Sequence, residues 1–591
     1  GPGSTGPVPT GPGSTGPMPP SGPGGPNGPT GPTAPGGPTA PGGARGSRPT
    51  GRAPGALTQG QKNAAAREDK KQWTEWWHFN QWRFTRISNK VAVSTGKGEP
   101  TGSAGARDLE TFLTKKALAD KHYDPKSAAT LALGKMKATK SKKKLEKLVQ
   151  DRKEHKYVRE SAALALGMMQ STTSAPLLTH VLYDRSQDTR LRVHAAIGLG
   201  LLKDPSIVPQ LLQVLGRQDD REVHVASTIA LGLIGDRSAA SRVLGILKSR
   251  ATHNTVRACA ATALGKIGDA KVGRTDVVGL MRTLVLSDRD DDVRRSVALV
   301  FYRFLKAKKV SSKVRQTVIE TLDRVARNDG DFVTRGFAMI GYAQALQLKA
   351  DSNERRAARD LFSSRLRTGE TREKGYAAIA LGLLGQDDRE CAKPLRKAFR
   401  AEKKWSTKSA VAIGLGLMRD SASKQMIADV VNKQGNPDLR GYCCVSLGLM
   451  GGNDEDISKY LTEIVKHVNV PELKAAAAMA LAKLGNSGEA MATLRKAIKD
   501  RNRYFKMSAL MAIGHFRDFG TLKDLQSAFK RESNAEARAI SVVAMGFIGE
   551  VERTPILSQI SEDFDYHTVF LNMPAVDQII QPTVYRHQVG C

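Results

Sequence analysis

A ten-residue pattern, Val158-Arg159-Glu160-Ser161-Ala162-Ala163-Leu164-Ala165-Leu166-Gly167, returns about every 33 residues from the first quarter of the chain almost to its end. It comes back as Leu191-Arg192 to Leu199-Gly200, Val256-Arg257 to Leu264-Gly265, Leu439-Arg440 to Leu447-Gly448 and Ala537-Arg538 to Met545-Gly546. A period of this length carries one helical hairpin, and hairpins that touch only their neighbours stack into a solenoid. That escapes the size limit which would split 591 residues into several compact cores.

The final glycine, or the residue in its place, marks thirteen units: Gly134, Gly167, Gly200, Gly232, Gly265, Tyr302, Ala343, Gly382, Gly416, Gly448, Ala482, Gly514 and Gly546. The steps are 32–34 residues except between Gly265 and Gly382, where they stretch to 37–41 and predict longer loops or helices. One unit shows the logic. In Arg192–Leu202 the positions Val193, Ala196, Ile197, Leu199, Gly200 and Leu201 make a broad stripe of small and aliphatic residues, as a helix packed on several sides requires. Asp204-Pro205-Ser206 then turns the chain, with Asp204 or Ser206 available as a cap. A second helix follows with Val208, Leu211, Leu212 and Leu215 inward. Strands have no obvious place in such a unit.

The pattern of a basic residue, then Ala-Ala-x-Ala-Leu-Gly-x-Ile-Gly-Asp, resembles HEAT repeats of the short type also found in phycobilisome lyases. Gly232-Leu233-Ile234-Gly235-Asp236 and Gly265-Lys266-Ile267-Gly268-Asp269 match it closely. The resemblance implies an all-α, right-handed superhelical solenoid of about 13 HEAT-like hairpins. Related hydroxylases use repeated His-Glu pairs as iron ligands, and no His-Glu dipeptide occurs here. The glycine- and proline-rich start followed by tryptophans is similar to exported planctomycete HEAT-repeat proteins, which implies a location and no activity.

Residues 1–60 repeat Gly-Pro-Gly-Ser-Thr-Gly-Pro and are almost free of apolar side chains, so they predict a disordered tether rather than a packed segment. Glycine does not hold every third position, which excludes a collagen helix. Within 61–124 lies the one aromatic-dense patch, with Trp73, Trp76, Trp77 and Trp82. The first three share a helical face and predict an N-terminal cap over the first repeat, an aromatic platform for a sugar or peptide being the alternative. The array itself spans 125–562, and 563–591, preceded by Glu562, reads as a non-repeating C-terminal cap.

The formal charge is +33, which points toward acidic partners. Much of it is ordered. A basic residue stands eight positions before each marker, as Lys126, Arg159, Arg192, Arg257, Arg294, Arg335, Lys374, Lys408, Arg440, Lys474, Lys506 and Arg538, with His224 at the fourth. Cations near helix N-termini are disfavoured by the macrodipole. Acids just ahead of them, including Asp188, Asp220, Asp331, Asp438, Glu472 and Glu536, are the expected compensation in an inter-repeat ladder. A ladder reading phosphates is the rival. A second basic set on the second helices, Arg242, Lys393, Arg396, Lys397, Arg495 and Lys496, is expected as a solvated edge, since cations suit helix C-termini. The resemblance puts those helices on the concave face, where a polyanion groove is the alternative.

No GxSxG, Walker loop, HExxH or dinucleotide fingerprint is present. Five cysteines without a CxxC pair exclude zinc ribbons and thioredoxin-like redox motifs. No stretch of eighteen apolar residues occurs, so no membrane-spanning helix is expected. These readings converge on a monomeric, non-enzymatic scaffold that needs no cofactor and binds protein partners on its concave face. A polyanion-binding solenoid and a lyase-type or chaperone subunit are the alternatives. An exported or envelope-associated location, behind a secretory signal, is expected over a cytoplasmic one.

Overall fold

The computed structural model describes residues 73–81, 84, 104–348, 351–433, 435–452, 454–468, 470–484, 488–500, 502–551, 560, 562–563 and 565. The chain divides into Gly1–Thr58 and Gln59–Cys591, and every described residue falls in the second part. The expected tether, and the end of the C-terminal cap from 566 onward, therefore lie outside the described residues.

The described array is all-α, as the repeat predicts. Thirteen first helices follow one another, and they define units 1 to 13. Units 1 to 4 carry Tyr123–Lys135, Lys156–Met168, Thr189–Leu202 and Arg221–Ile234, and unit 5 carries Asn254–Ile267. Asp291–Val300 (unit 6) runs on into a 3-10 turn, Phe301–Lys306. Units 7 to 10 carry Phe332–Leu348, Thr371–Leu384, Trp405–Leu417 and Pro437–Met450. Units 11 to 13 carry Pro471–Leu484, Arg503–Phe516 and Ala535–Gly549.

The first helices form a continuous layer whose spacing is set by small residues. In most units the marker glycine of one helix rests on the residue two before the marker of the next. A Cβ built on Gly200 would lie 2.6 Å from the Cα of Ala230, and one on Gly514 would lie 2.7 Å from the Cα of Ala544. Backbone stands directly against backbone, which glycine allows. The second helices carry bulkier inward residues and touch one another sparsely. A layer packed more closely has the shorter perimeter, so the first helices line the inside and the second helices form the outside. This reverses the sequence expectation that second helices line the concave face. The reason is legible in hindsight: the alanines and glycines are on the first helices.

The array meets itself. The first helix of unit 13 packs on that of unit 1 as closely as any neighbouring pair in the series. The seam repeats the internal rule, since a Cβ on Gly546 would lie 3.1 Å from the Cβ of Ala132, two residues before the marker Gly134. It also repeats the charge rule: Arg538 Nε and Nη2 donate to the Asp120 carboxylate at 2.7 and 2.9 Å. The solenoid thus closes into a ring, a feature the sequence did not announce.

The closing unit is assembled from both ends of the array. Ala104–Phe112, continued by the π-turn Leu113–Ala117, occupies the place of an outer helix for unit 13. On one side Phe112 meets Phe529 edge-on at 5.5 Å, and Gln526 Nε2 donates to Asp108 at 3.2 Å. On the other, Ser141 Oγ donates to Glu110 at 2.9 Å, and Lys144 Nζ donates to the carbonyl of Thr114 at 2.7 Å. Leu109 and Leu113 are wholly buried beneath. Their burial stabilises the seam by about 1.5–3 kcal/mol each.

The stretched middle takes the form of longer helices. Ser312–Asn328 and Ser352–Thr368 run 17 residues each, against 8–10 for most outer helices. Between units 5 and 6 the chain also makes a two-residue antiparallel ladder, Lys271–Val272 with Thr275–Asp276, where no strand was expected. Asp204 caps its turn as anticipated, accepting from the backbone N–H of Ser206 at 2.9 Å.

Replacing Arg538 by Ala leaves Asp120 buried without its bidentate partner, and is expected to cost about 2–4 kcal/mol. The melting temperature should fall, and the radius of gyration from small-angle scattering should rise as the seam opens. Arg503→Ala removes a comparable pair to Glu536 that is largely solvent-exposed, and should change stability by under about 1 kcal/mol. Equal effects from both variants would refute a special role for the seam.

Candidate peptide-binding inner face

The ladder side chains have their partners inside the ring. Each lies near the start of an inner helix, beneath the C-terminal end of the preceding outer helix. Several donate to its last carbonyls: Arg159 to Val149, Arg192 to Leu182, Arg257 to Leu247 and Arg440 to Val431. The charge is met by an acid in the loop ahead of the following unit. Lys126 reaches Glu154 at 2.8 Å, Arg192 clamps Asp219 at 2.9 and 2.6 Å, and Arg294 reaches Asp329 at 3.0 Å. Arg257 pairs with Asp288, Arg335 with Glu373 at 3.0 Å, Lys374 with Glu402 at 4.0 Å and Lys506 with Glu532 at 2.7 Å. Two rungs differ. Lys408 and Lys474 place their ammonium groups over Phe399 and Phe505, at 5.0 and 3.2 Å from the ring centres.

Of the acids named from the sequence, Asp220 lies 3.8 Å from Arg192, while three others do other work. Asp188 caps its helix by accepting from the N–H of Arg190. Asp331 accepts from Thr334 and binds Arg295 of the preceding unit at 2.7 Å. Glu536 pairs with Arg503, again one unit back. Compensation therefore runs between units rather than within them, and it ties each unit to the next. The sequence signal that was missed is an acid five or six residues ahead of the next rung, as at Glu154, Asp219, Asp288, Asp329, Glu532 and Asp120.

The second basic set lies on outer helices, not in a concave groove. Arg396 binds Asp420, Lys393 reaches Glu390 at 2.7 Å, and Arg495 reaches Asp524 at 2.8 Å. Arg242 approaches the carbonyl of Leu215 at 3.5 Å, while Lys397 and Lys496 are exposed on the outer wall.

The inner face instead receives two stretches of the same chain. The helix Trp73–Asn80 lies across units 8, 9 and 10 and does not cover the first repeat. A closed ring has no open end to cap. Trp73 fits where Gly375 leaves room, since a Cβ there would lie 2.5 Å from its Cγ. Its Nε1 donates to the carbonyl of Ser406 at 3.1 Å, and its ring stands 5.1 Å from that of Tyr442. Trp76 and Trp77 are buried, and Trp77 stacks on Phe84 at 5.9 Å. Lys483 Nζ donates to the carbonyl of Phe84 at 3.2 Å, and burial pushes that lysine down to about 8. Trp82 lies outside the described residues.

The second stretch is acidic and sits at units 5 and 6. Asp563 is fully buried; it accepts from Tyr302 Oη at 2.6 Å and from Arg303 Nε at 2.7 Å. Glu562 lies 3.5 Å from the same guanidinium. Asp565 is 1% exposed, and its charge reaches Arg295 and Cys259. Burial depresses Arg303, but Asp563, Tyr302 and Glu562 together outweigh it and the guanidinium is held above its ordinary value. Burial, with Asp565 adding, raises the Cys259 thiol, which makes it a packing residue rather than a nucleophile. None of these acids was picked out from the sequence as a contact. The one available signal was Tyr302, a marker position without its glycine.

Among the described residues no group of three metal-binding side chains comes together, and no helix is long and apolar enough to cross a membrane.

A family model described as HEAT repeats matches residues 110–190, 182–252 and 209–301. No curated protein matches the sequence. Among solved structures, the chain is similar to the complex of CpcE and CpcF of phycocyanin lyase from Nostoc sp. PCC7120. The two are 19% identical over 46% of this chain and 97% of that one, with a TM-score of 0.29. Human deoxyhypusine hydroxylase in complex with glycerol is 16% identical over 49% and 99% of the two chains, with a TM-score of 0.22. A structure of Kap95p with RanGDP covers 76% of this chain and 67% of that one, at 11% identity and a TM-score of 0.36. Likenesses this distant carry no argument about activity.

The ring's buried ionisable groups make it acid-sensitive. Burial pushes His194 down from 6.5 to about 4. The unfolded chain then takes up a proton first, so stability falls as pH drops from 6.5 to 4, by about 3 kcal/mol for this residue. Asp219 and Asp288 are held below the usual carboxylate range by Arg192 and Arg257 in spite of their burial, and their contribution is lost as pH falls below 4. The melting temperature should therefore be flattest at about pH 7, below the titration of the lysines depressed to about 8, and fall in two stages on acidification. His78 and His515 are pushed down to about 4 in the same way, so His194→Leu should shrink the upper stage and leave the lower one; an unchanged profile would contradict the assignment.

Proposed function

Because the chain is a HEAT-repeat protein, we propose that it is a non-enzymatic interaction scaffold for protein partners that engage it as short peptide segments. One observation carries this reading. The inner face already holds two such segments, an aromatic one on units 8 to 10 and an acidic one on units 5 and 6. Each is held as a peptide ligand would be, with an anchoring side chain in a fitted slot and polar atoms paired to the array. Cross-linking of the full chain in its native cell, read by mass spectrometry, tests the proposal. Cross-links to another protein should concentrate on a limited set of units. A purified protein that turns over a substrate, with turnover abolished by one point substitution, would overturn it.

A second reading rests on the charge of +33 and on exposed outer lysines such as Lys143, Lys397 and Lys496. It is non-specific binding of a polyanion to the outer wall. Affinity for random duplex DNA should fall linearly with salt on logarithmic axes, with a slope of about −0.9 per phosphate neutralised. No binding at low ionic strength ends this reading.

A further inference from the structure

We propose that the inner face of units 5 and 6 is a binding site for an acidic peptide segment of a partner protein, and that Glu562, Asp563 and Asp565 are its resident occupants in the isolated chain. The proposal deepens the scaffold reading and rests on it. Three observations converge. First, Arg303 differs from the ladder arginines. Their carboxylates belong to the array, whereas its two, Asp563 and Glu562, come from beyond the last helix of the ring. The array thus presents a half-buried cation that its own repeats do not neutralise, and such a group demands an anion from elsewhere.

Second, the repeat pattern breaks where this cation is displayed. Tyr302 stands at a marker position, and the inner helix tightens into the 3-10 turn Phe301–Lys306. That turn projects a hydroxyl and two cations: Tyr302 Oη, Arg303 and, 3.5 Å from that hydroxyl, Lys306 Nζ. Local departures from an otherwise regular pattern are where function is expected to reside. Third, the occupant is held as a ligand would be, with the Asp563 carboxylate wholly enclosed. Specificity follows from the chemistry. The site reads adjacent carboxylates, one enclosed between a phenol and a guanidinium and one at the rim, with a third, buried, two residues further on.

A resident joined to the ring has a high effective concentration, so a free peptide competes poorly until the resident is weakened. The probe is a fluorescent peptide covering Ile560 to Tyr566, compared with a peptide of the same composition in scrambled order. Full-length protein carrying Asp563→Asn and Asp565→Asn is expected to bind the native-order peptide at least about tenfold more tightly than wild type does. Adding Arg303→Ala should remove that gain. In wild type, excess peptide should raise amide exchange across 560–565, which keeps the proposal testable if the variants fold poorly. No gain in affinity, equal binding of the scrambled peptide, or unchanged exchange would each overturn the site. Cross-links to a partner elsewhere on the ring, together with unchanged exchange, would retire this site and leave the scaffold reading standing.

Discussion

The close approach of successive inner helices sets everything else in this ring. Where a glycine faces an alanine two positions before the next marker, backbones meet at distances that a larger residue at either position would push apart. Ten of the thirteen interfaces place a marker glycine against the residue two before the next marker, so the step between units is fixed by a few atoms per interface. Packed interiors resist even one extra methylene. The same contact recurs between Gly546 and Ala132, and that is why the array closes rather than running on. A slightly larger step would carry the last helix past the first.

Electrostatics follows the same path around the ring. Ladder arginines such as Arg192 and Arg257 reach back to the carbonyls ending one outer helix and forward to the acid before the next inner helix. The negative end of a helix dipole and a carboxylate therefore share the cost of bringing a guanidinium out of water. The arrangement joins three successive elements at once. Arg538 and Asp120 apply it between residues 418 apart, and the two ends of the ring are held by the interaction that holds its interior.

The all-helical class, the thirteen units and their spacing were readable because packing imposes a period on the residues themselves. The seam was not readable. Gly546 and Ala132 each obey the repeat, but nothing in a repeat says that its last member meets its first. The inside and outside were exchanged for a related reason: the alanine and glycine content of the first helices was read as close packing without its consequence for perimeter. Long-range seats left weaker traces still. Gly375 looks like any small residue in an inner helix until Trp73 is seen resting on it, and Asp563 gives no local hint that its partners are Tyr302 and Arg303.

Closure also changes what the flanking segments are for. In an open solenoid the end helices expose apolar faces, and a tryptophan-rich or non-repeating segment is needed to cover them. Here Ala104–Ala117 and Ala535–Gly549 cover each other, so Trp73–Asn80 and Glu562–Asp565 are released from that duty. Both are nonetheless held on the inner face by paired polar atoms as well as by burial. Segments not required to seal the fold, yet seated in specific slots, are what support the proposed scaffold reading. The tryptophan seat is built from apolar contact and one indole hydrogen bond, and the acidic seat from charge-assisted hydrogen bonds. The ring thus presents two chemically distinct sites on one inner wall, each legible from the segment that now fills it.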